Sequence, residues 1–251
     1  MTTKQIDQYL ATLATENLEN ALIPLKEDTR ATVQKIVHKH MRKIENVAKE
    51  SERLQMLCTH ENELYQKGLT YVAGVDEAGR GPLAGPVFAA AVIFSPGTVI
   101  AHINDSKKLS AKKRESLYDI ITQRALDYQI AYVSAQEIDK INIKNAAILA
   151  MKKAIQSLKV CPEHILVDGV DFTATDMAYT NIIKGDSLSL SIAAASILAK
   201  VSRDRYIEKM EDTYPQYGFL KHKGYGTKEH IEAIKKHGIC PIHRKTFTTK
   251  F

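Results

Sequence analysis

Two hydrophobic periods divide this chain of 251 residues near residue 70. Before it, apolar positions such as Val33, Ile36, Val37, Met41, Ile44 and Val47 recur at helical spacing, with no strand alternation. Pro24 should interrupt one helix before another begins near Asp28 or Thr29, and Gly68 should close the last. After it, short apolar runs at 71–75, 87–94, 130–133, 165–167 and 180–183 read as strands. Helical patterns lie between and after them, at roughly 111–125, 144–158, 188–210 and 228–236. A short loop joins the first two strands and predicts an antiparallel pair, whereas strands separated by helices should run parallel. The expectation is an α/β protein with a five-stranded mixed sheet flanked by helices over 71–251, preceded by a helical N-terminal extension over 1–70.

The chemistry gathers where strands end. The run Tyr71-Val72-Ala73-Gly74-Val75 leads into Asp76-Glu77 and then Ala78-Gly79-Arg80-Gly81-Pro82. Successive strand side chains point to opposite faces, so both acids can join one cluster only if the strand ends or bends there, and the loop glycines should supply that ending. Half-buried carboxylates are costly unless a cation compensates them, and no Lys or Arg precedes these within the strand. Gly79 and Gly81 allow a close backbone approach, and Arg80 offers a planar donor fork suited to phosphate. Asp168 closes a second apolar run and Asp186 follows a third. Asp171 and Asp176 compete with Asp168, which is preferred because it directly ends its run. Oxygen-only clusters at converging strand ends favour hard cations such as Mg²⁺ or Mn²⁺ over zinc.

Charge adds a direction to this picture. Lys and Arg number 35 against 29 Asp and Glu, a net charge of +6. Residues 1–70 are balanced at ten and ten, and residues 71–195 are balanced too, so the excess sits in 196–251, with twelve basic and six acidic side chains. A basic C-terminal part suits a phosphate backbone, with Lys200, Arg203, Lys221, Lys223 and Lys228 as contacts. On the extension, Lys35, Lys39, Arg42 and Lys43 cluster on a helix and offer further phosphate contacts, although a solvated charged face is the plainer reading.

Three cysteines without a Cys-x-x-Cys pair argue against a disulfide framework. With no apolar run of about 18 residues and no signal core after Met1, a soluble, cytoplasmic protein is expected. His222, His230, His237, Cys240 and His243 resemble zinc spacing only loosely, and a capping or phosphate-contacting histidine is preferred. The glycines of 79–85 do not spell a dinucleotide fingerprint.

The Asp76 to Pro82 segment, Leu166-Val167-Asp168-Gly169, Lys184-Gly185-Asp186, the run Ala193 to Asp204, Lys223-Gly224-Tyr225-Gly226-Thr227 and His243-Arg244 resemble the bacterial ribonuclease HII family, a type 2 ribonuclease H. The resemblance covers about 71–251 and implies a ribonuclease H-like fold. It implies Asp76, Glu77, Asp168 and Asp186 as the metal-binding catalytic carboxylates. Gly79, Arg80 and Gly81 match the loop contacting the ribonucleotide, Tyr225 matches the tyrosine packing on the sugar, and Lys107 and Lys108 join the phosphate contacts. Implied too are two ions, Mn²⁺ or Mg²⁺, and hydrolysis of the RNA strand of RNA–DNA hybrids. Cutting is expected 5′ of single ribonucleotides in duplex DNA, in ribonucleotide removal and primer clearance. The intact glycine loop favours HII over the sister ribonuclease HIII. A non-catalytic nucleic-acid-binding module is the rival class. A monomer is expected, and Phe247 and Phe251 are the C-terminal aromatics available to a partner such as a sliding clamp.

Overall fold

The computed structural model describes residues 1–169, 172 and 176–250; Asp171 and Phe251 therefore lie outside the described residues. Contacts divide the chain into two compact units, Met1–Met56 and Leu57–Phe251. In the first, α1 (Thr3–Thr12), α2 (Thr15–Leu22) and most of α3 (Ala31–Leu57) enclose Ile6, Leu10, Leu18, Leu22, Val33 and Val37. Pro24 sits in a 3₁₀ turn, Ile23–Leu25, and a capping box between Thr2 and Gln5 opens α1. Of the basic residues on α3, Lys39 pairs with Asp7 at 2.9 Å, while Lys35, Arg42 and Lys43 are exposed.

The second unit opens with α4 (Thr59–Gln66), followed by β1 (Val72–Ala78), β2 (Val87–Ile93), α5 (Ala111–Arg124) and β3 (Asp127–Val133). Next come α6 (Ala135–Gln156), β4 (His164–Asp168), β5 (Tyr179–Ile182) and α7 (Leu190–Thr213). Three shorter helices close the chain, α8 (Phe219–His222), α9 (Lys228–His237) and α10 (Lys245–Thr248). The five strands form one mixed sheet in the order β3-β2-β1-β4-β5. β1–β2 is antiparallel, and β1–β4 and β4–β5 are parallel. β2–β3 is antiparallel, against the sequence expectation, because Ile93 at the end of β2 faces Asp127 at the start of β3. The intervening helix is an excursion within a long hairpin connection, not a crossover.

Each sheet face has its own helix. Val75, Val87, Ala89, Ala91, Val133, Ile165 and Val167 pack with Ala146, Ala147, Ala150, Met151 and Ala154 of α6. The predicted start of that helix near 144 coincides with a break at Asn142, where φ is 64° and the side chain accepts from Asn145 N–H. The segment before it, opened by a Ser134–Glu137 capping box, was not legible as helix. On the other face α7 lies against β1 so closely that Gly74 leaves no room for a Cβ, which would fall 2.2 Å from the Ser191 carbonyl carbon.

Residues assigned from sequence to the extension contribute to this second unit. Leu64 of α4 packs with Val72, Leu166, Ile182 and Ile192. Glu61 is buried at the N-terminus of α7, where Oε1 accepts from Ser189 Oγ at 2.6 Å, Ser191 N–H at 2.9 Å and Ser191 Oγ at 2.6 Å. A carboxylate suits the positive end of a 24-residue helix. Glu61→Ala leaves three buried donors without that acceptor, so urea denaturation should register a loss of about 3 kcal/mol. Among the described residues no helix is long and apolar enough to cross a membrane.

Candidate active site

Strand register places the first two acids. β1 pairs with β4 as far as Val75 opposite Val167, while its pairing with β2 continues to Ala78 opposite Phe88. The two parallel strands therefore part immediately beyond Val75 and Val167, at Asp76 and Asp168. By alternation Asp76 shares the α7 face with Gly74, and Asp168 shares it with Leu166. Asp186 arrives from a 3₁₀ turn, Gly185–Ser187, just before α7, and Gly185 N–H donates to Asp168 Oδ1 at 2.6 Å. One oxygen from each of Asp76, Asp168 and Asp186 lies within 4.8 Å of the others. Asp176 is exposed and outside this group.

Glu77 differs from expectation in how it arrives. β1 neither ends nor bends at Asp76 but runs through both acids to Ala78, so Glu77 starts from the opposite face and stands outside the three-acid group. It still lines the same cleft, a space of about 510 Å³ shared with Arg80, Asp105, Lys107, Asp168 and Asp186. Arg80 Nη1 donates to its Oε1 at 3.2 Å, while Oε2 is buried without a partner.

Burial is the main cause that raises the proton affinity of these acids. Asp76 stands well above the ordinary carboxylate range, through burial and then the neighbouring charges of Glu77 and Asp168. Burial also raises Glu77 against the pull of Arg80, and raises Asp168 against the Gly185 N–H bond. For Asp186, burial is reinforced by Asp105 and Asp168. Lys107, 3.5 Å from Asp186, is held above its usual value by Asp186, Asp105 and Asp76 despite its own desolvation. An all-oxygen set with excess negative charge and an orphaned carboxylate oxygen fits a hard divalent cation.

The glycine loop is held from behind. Arg244 is fully buried and donates to the carbonyls of Gly79 at 2.5 Å, Arg80 at 2.8 Å and Gly85 at 2.9 Å. Arg203 is also fully buried, and it corrects the expectation of a phosphate contact. Its guanidinium donates to the carbonyls of Pro86, Ala84 and Lys223 at 3.3, 3.1 and 3.1 Å, which leaves it no path to solvent. Gly79, with φ 98°, lies against it, where a Cβ would fall 2.2 Å from Arg203 Nε. At Gly81 the nearest atom to an added Cβ is Tyr225 Cε1 at 3.9 Å, so the loop tip and the half-exposed Tyr225 ring are neighbours. Lys200 Nζ lies 5.6 Å from that ring and pairs with Asp204 at 2.7 Å. Lys108 donates to Ser187 at 3.1 Å, Lys223 pairs with Glu208, and Lys221 and Lys228 are exposed.

Among the described residues the histidines gather into no metal-ligating group, and His230 and His243 are buried. Cys240 N–H donates to His243 Nδ1, so neutral His243 carries its proton on Nε2 and donates to His230 Nε2 at 3.0 Å. His230 Nδ1–H then donates to the Tyr225 carbonyl at 2.9 Å. The ring nitrogens point along a chain and share no common point. Burial lowers both histidines to about 4, which keeps the chain neutral. Phe247 is also taken: it packs on the α6 side of the core and under the Arg244 guanidinium at 5.1 Å.

Sequence reading missed four contributors. Asp105 lines the cleft, Lys184 turns the chain into Asp186 with φ 60°, and Ser196 is hydrogen-bonded to Asp76 and lies 2.8 Å from Ser106 Oγ. Arg244 is the fourth. All lie inside or beside quoted motifs, but only spatial neighbours give them a role.

Residues 73–250 match the family model described as Ribonuclease HII, and residues 2–65 match that described as Ribonuclease HII N-terminal domain. The chain is 51% identical over 244 residues to the ribonuclease HII of Clostridioides difficile, covering 97% of this chain and 96% of that one. Among solved structures it resembles ribonuclease H2 of Pyrococcus horikoshii, with TM-score 0.60, 29% identity and coverage of 72% of this chain and 96% of that one. It also resembles the Archaeoglobus fulgidus protein solved as a PCNA:RNase HII complex, with TM-score 0.58, 28% identity and coverage of 69% and 93%. On these matches, and with its acids and glycine loop so disposed, the chain belongs to the ribonuclease HII family of endoribonucleases.

Proposed function

We propose that this chain hydrolyses the RNA strand of RNA–DNA hybrids and cuts 5′ of single ribonucleotides in duplex DNA, leaving 3′-hydroxyl and 5′-phosphate ends. The observation that carries this reading is the convergence of Asp76, Asp168 and Asp186 within 4.8 Å, with Asp168 and Asp186 lining the same cleft as Glu77 and Arg80. In this reading Asp76, Glu77, Asp168 and Asp186 hold Mn²⁺ or Mg²⁺. Bound there, such cations supply a water nucleophile near neutral pH and neutralise charge on the leaving oxygen. No histidine is among the residues lining the cleft, in keeping with chemistry that needs no histidine base.

The remaining residues bind and orient the substrate. Arg80, Lys107 and Lys108 on the cleft wall attract the phosphate backbone and offset its repulsion by the acids. Gly81 and Tyr225 form the neighbouring surface on which the sugar would rest, and the 2′-hydroxyl is the group that marks a ribonucleotide. Ribonucleotide removal and primer clearance are the corresponding cellular roles. As for a clamp, the Archaeoglobus relative was solved with PCNA, and here Phe247 packs partly buried against the core.

The test is a labelled DNA duplex carrying one ribonucleotide, incubated with and without Mn²⁺ or Mg²⁺. Metal-dependent cutting on the 5′ side of that nucleotide is expected. Cutting only of continuous RNA–DNA hybrids would move the chain to the HIII-like specificity, and cutting of neither would overturn the enzymatic reading.

A further inference from the structure

The Tyr225 ring is exposed, and its cationic neighbours Lys200 and Arg203 lie 5.6 and 5.7 Å from its centroid, distances that steady a ring without fixing its place. Its backbone is held far more tightly. Lys223 and Gly224 before it both lie in the left-handed region, with φ 50° and 81°. Such a bend is costly at a lysine and needs support from outside the segment. Three buried histidines supply it. The His222 carbonyl accepts Tyr225 N–H at 2.9 Å, and His222 Nδ1 accepts Gly224 N–H at 3.2 Å. Its proton is then on Nε2, which donates to the Tyr217 carbonyl at 2.8 Å. His230 lies flat on His222, ring centroids 4.3 Å apart, and its Nδ1 reaches the Tyr225 carbonyl at 2.9 Å. Thr227 N–H donates to the same carbonyl at 2.8 Å, so both of its lone pairs are used.

The bond from His230 to Tyr225 has a direction that His230 does not set by itself. A neutral imidazole carries one proton, and its other nitrogen must accept. Cys240 N–H occupies His243 Nδ1, so the His243 proton is on Nε2 and donates to His230 Nε2 at 3.0 Å. That places the His230 proton on Nδ1, facing the Tyr225 carbonyl. Without a donor at 243, His230 would be free to carry its proton on Nε2 and turn a lone pair toward that carbonyl. Polar rings buried among Tyr217 and Phe219 cost more than apolar ones of the same shape unless each hydrogen bond is made. Here they are made, and the chain ends at Tyr225.

We propose that His243 and His230 are positioning residues: their directed hydrogen-bond chain from Cys240 fixes the Tyr225 carbonyl and so places the exposed Tyr225 ring where a substrate sugar would rest. This rests on the proposed function above. Neither imidazole lines the acidic cleft, so both act through Tyr225.

The test is a double-mutant cycle in the full-length protein, read as kcat/KM for Mn²⁺-dependent cutting of a duplex with one ribonucleotide. His230→Phe keeps the ring and loses the donor, and kcat/KM should fall about tenfold. In a Tyr225→Ala background the same change should cost less than about twofold, because the ring it places is gone. The thermal midpoint should fall equally in both backgrounds, which separates positioning from stability. His243→Gln, whose amide nitrogen sits where Nε2 was, should keep most of the rate, and His243→Asn, which cannot reach His230, should not. Equal losses with and without Tyr225, no loss in His230→Phe, or equal rates for His243→Gln and His243→Asn each overturn the proposal. So does full activity in Tyr225→Ala, which leaves the proposed function standing. If the unsubstituted protein cuts neither this duplex nor a continuous hybrid, that function fails too. Should the histidine variants not fold, ring nitrogen-15 spectra of the unsubstituted protein decide. They should place the proton on Nδ1 of His230 and Nε2 of His243, and the reverse overturns the proposal.

Discussion

Asp76→Asn should abolish metal-dependent cleavage, by about three orders of magnitude or roughly 4 kcal/mol of transition-state stabilisation, and should leave duplex binding in place. The same substitution should raise the thermal midpoint of the metal-free protein at about pH 8. The sign follows from the raised proton affinity of Asp76 in the fold, caused by burial and by Glu77 and Asp168. A carboxyl whose folded pKa exceeds its unfolded pKa gives the fold its greatest relative stability at low pH, where it is protonated in both states. That contribution is lost as pH rises from the unfolded value through the folded one, because the charged form is penalised only in the fold. Asn is neutral throughout and can still accept the bond that Asp76 Oδ1 takes from Glu77 N–H at 2.7 Å. Added Mn²⁺ or Mg²⁺ should stabilise the unsubstituted protein more at about pH 8 than at about pH 5, and this difference should shrink in Asp76→Asn. Calorimetry with and without metal reads all three effects. A variant that keeps full cleavage activity would remove Asp76 from the catalytic set.

Gly74→Ala should be the most damaging single methyl in the protein's sheet. The new Cβ would fall 2.2 Å from the Ser191 carbonyl carbon, 2.3 Å from the Ile192 nitrogen and 2.4 Å from Ser191 Oγ. Two of these atoms are helix backbone, so no rotamer change relieves the clash, and α7 must move away from β1. Expected is a loss of about 4 kcal/mol or more, seen as a large drop in thermal midpoint or in soluble yield. Any folded remainder should also lose activity, since α7 carries Ser196 beside Asp76 and starts just after the turn that presents Asp186. An unchanged midpoint would mean that β1 and α7 do not pack this closely.

Much of the site was legible in the chain because the relevant signals are short in range. Apolar runs followed within a few residues by an acid pointed to Asp76, Asp168 and Asp186, although only Asp168 closes its strand, β1 running on to Ala78 and Asp186 lying in the turn after β5. The sheet's strands and most of its main helices followed from period, but the first part of α6 did not.

What the sequence did not show were particular partners from far along the chain. Arg203 and a surface arginine look alike in a sequence, and only the carbonyls of Ala84, Pro86 and Lys223 around it make it a buried scaffold. Glu61 sits in a helical stretch assigned to the extension, yet Ser189 and Ser191 bind it to the sheet-bearing unit. The antiparallel β2–β3 pair depends on where a long connection returns, which residue patterns between them do not encode. Hydrophobic period and strand-end chemistry are properties of neighbours along the chain, and these determined the sheet's elements and the acids that serve the cleft. Register, burial and hydrogen-bond partners depend on residues brought together from far apart. The tertiary structure therefore decided that Glu77 reaches the cleft from the opposite face of β1, that the histidines form a neutral chain, and that two arginines hold the glycine loop from within.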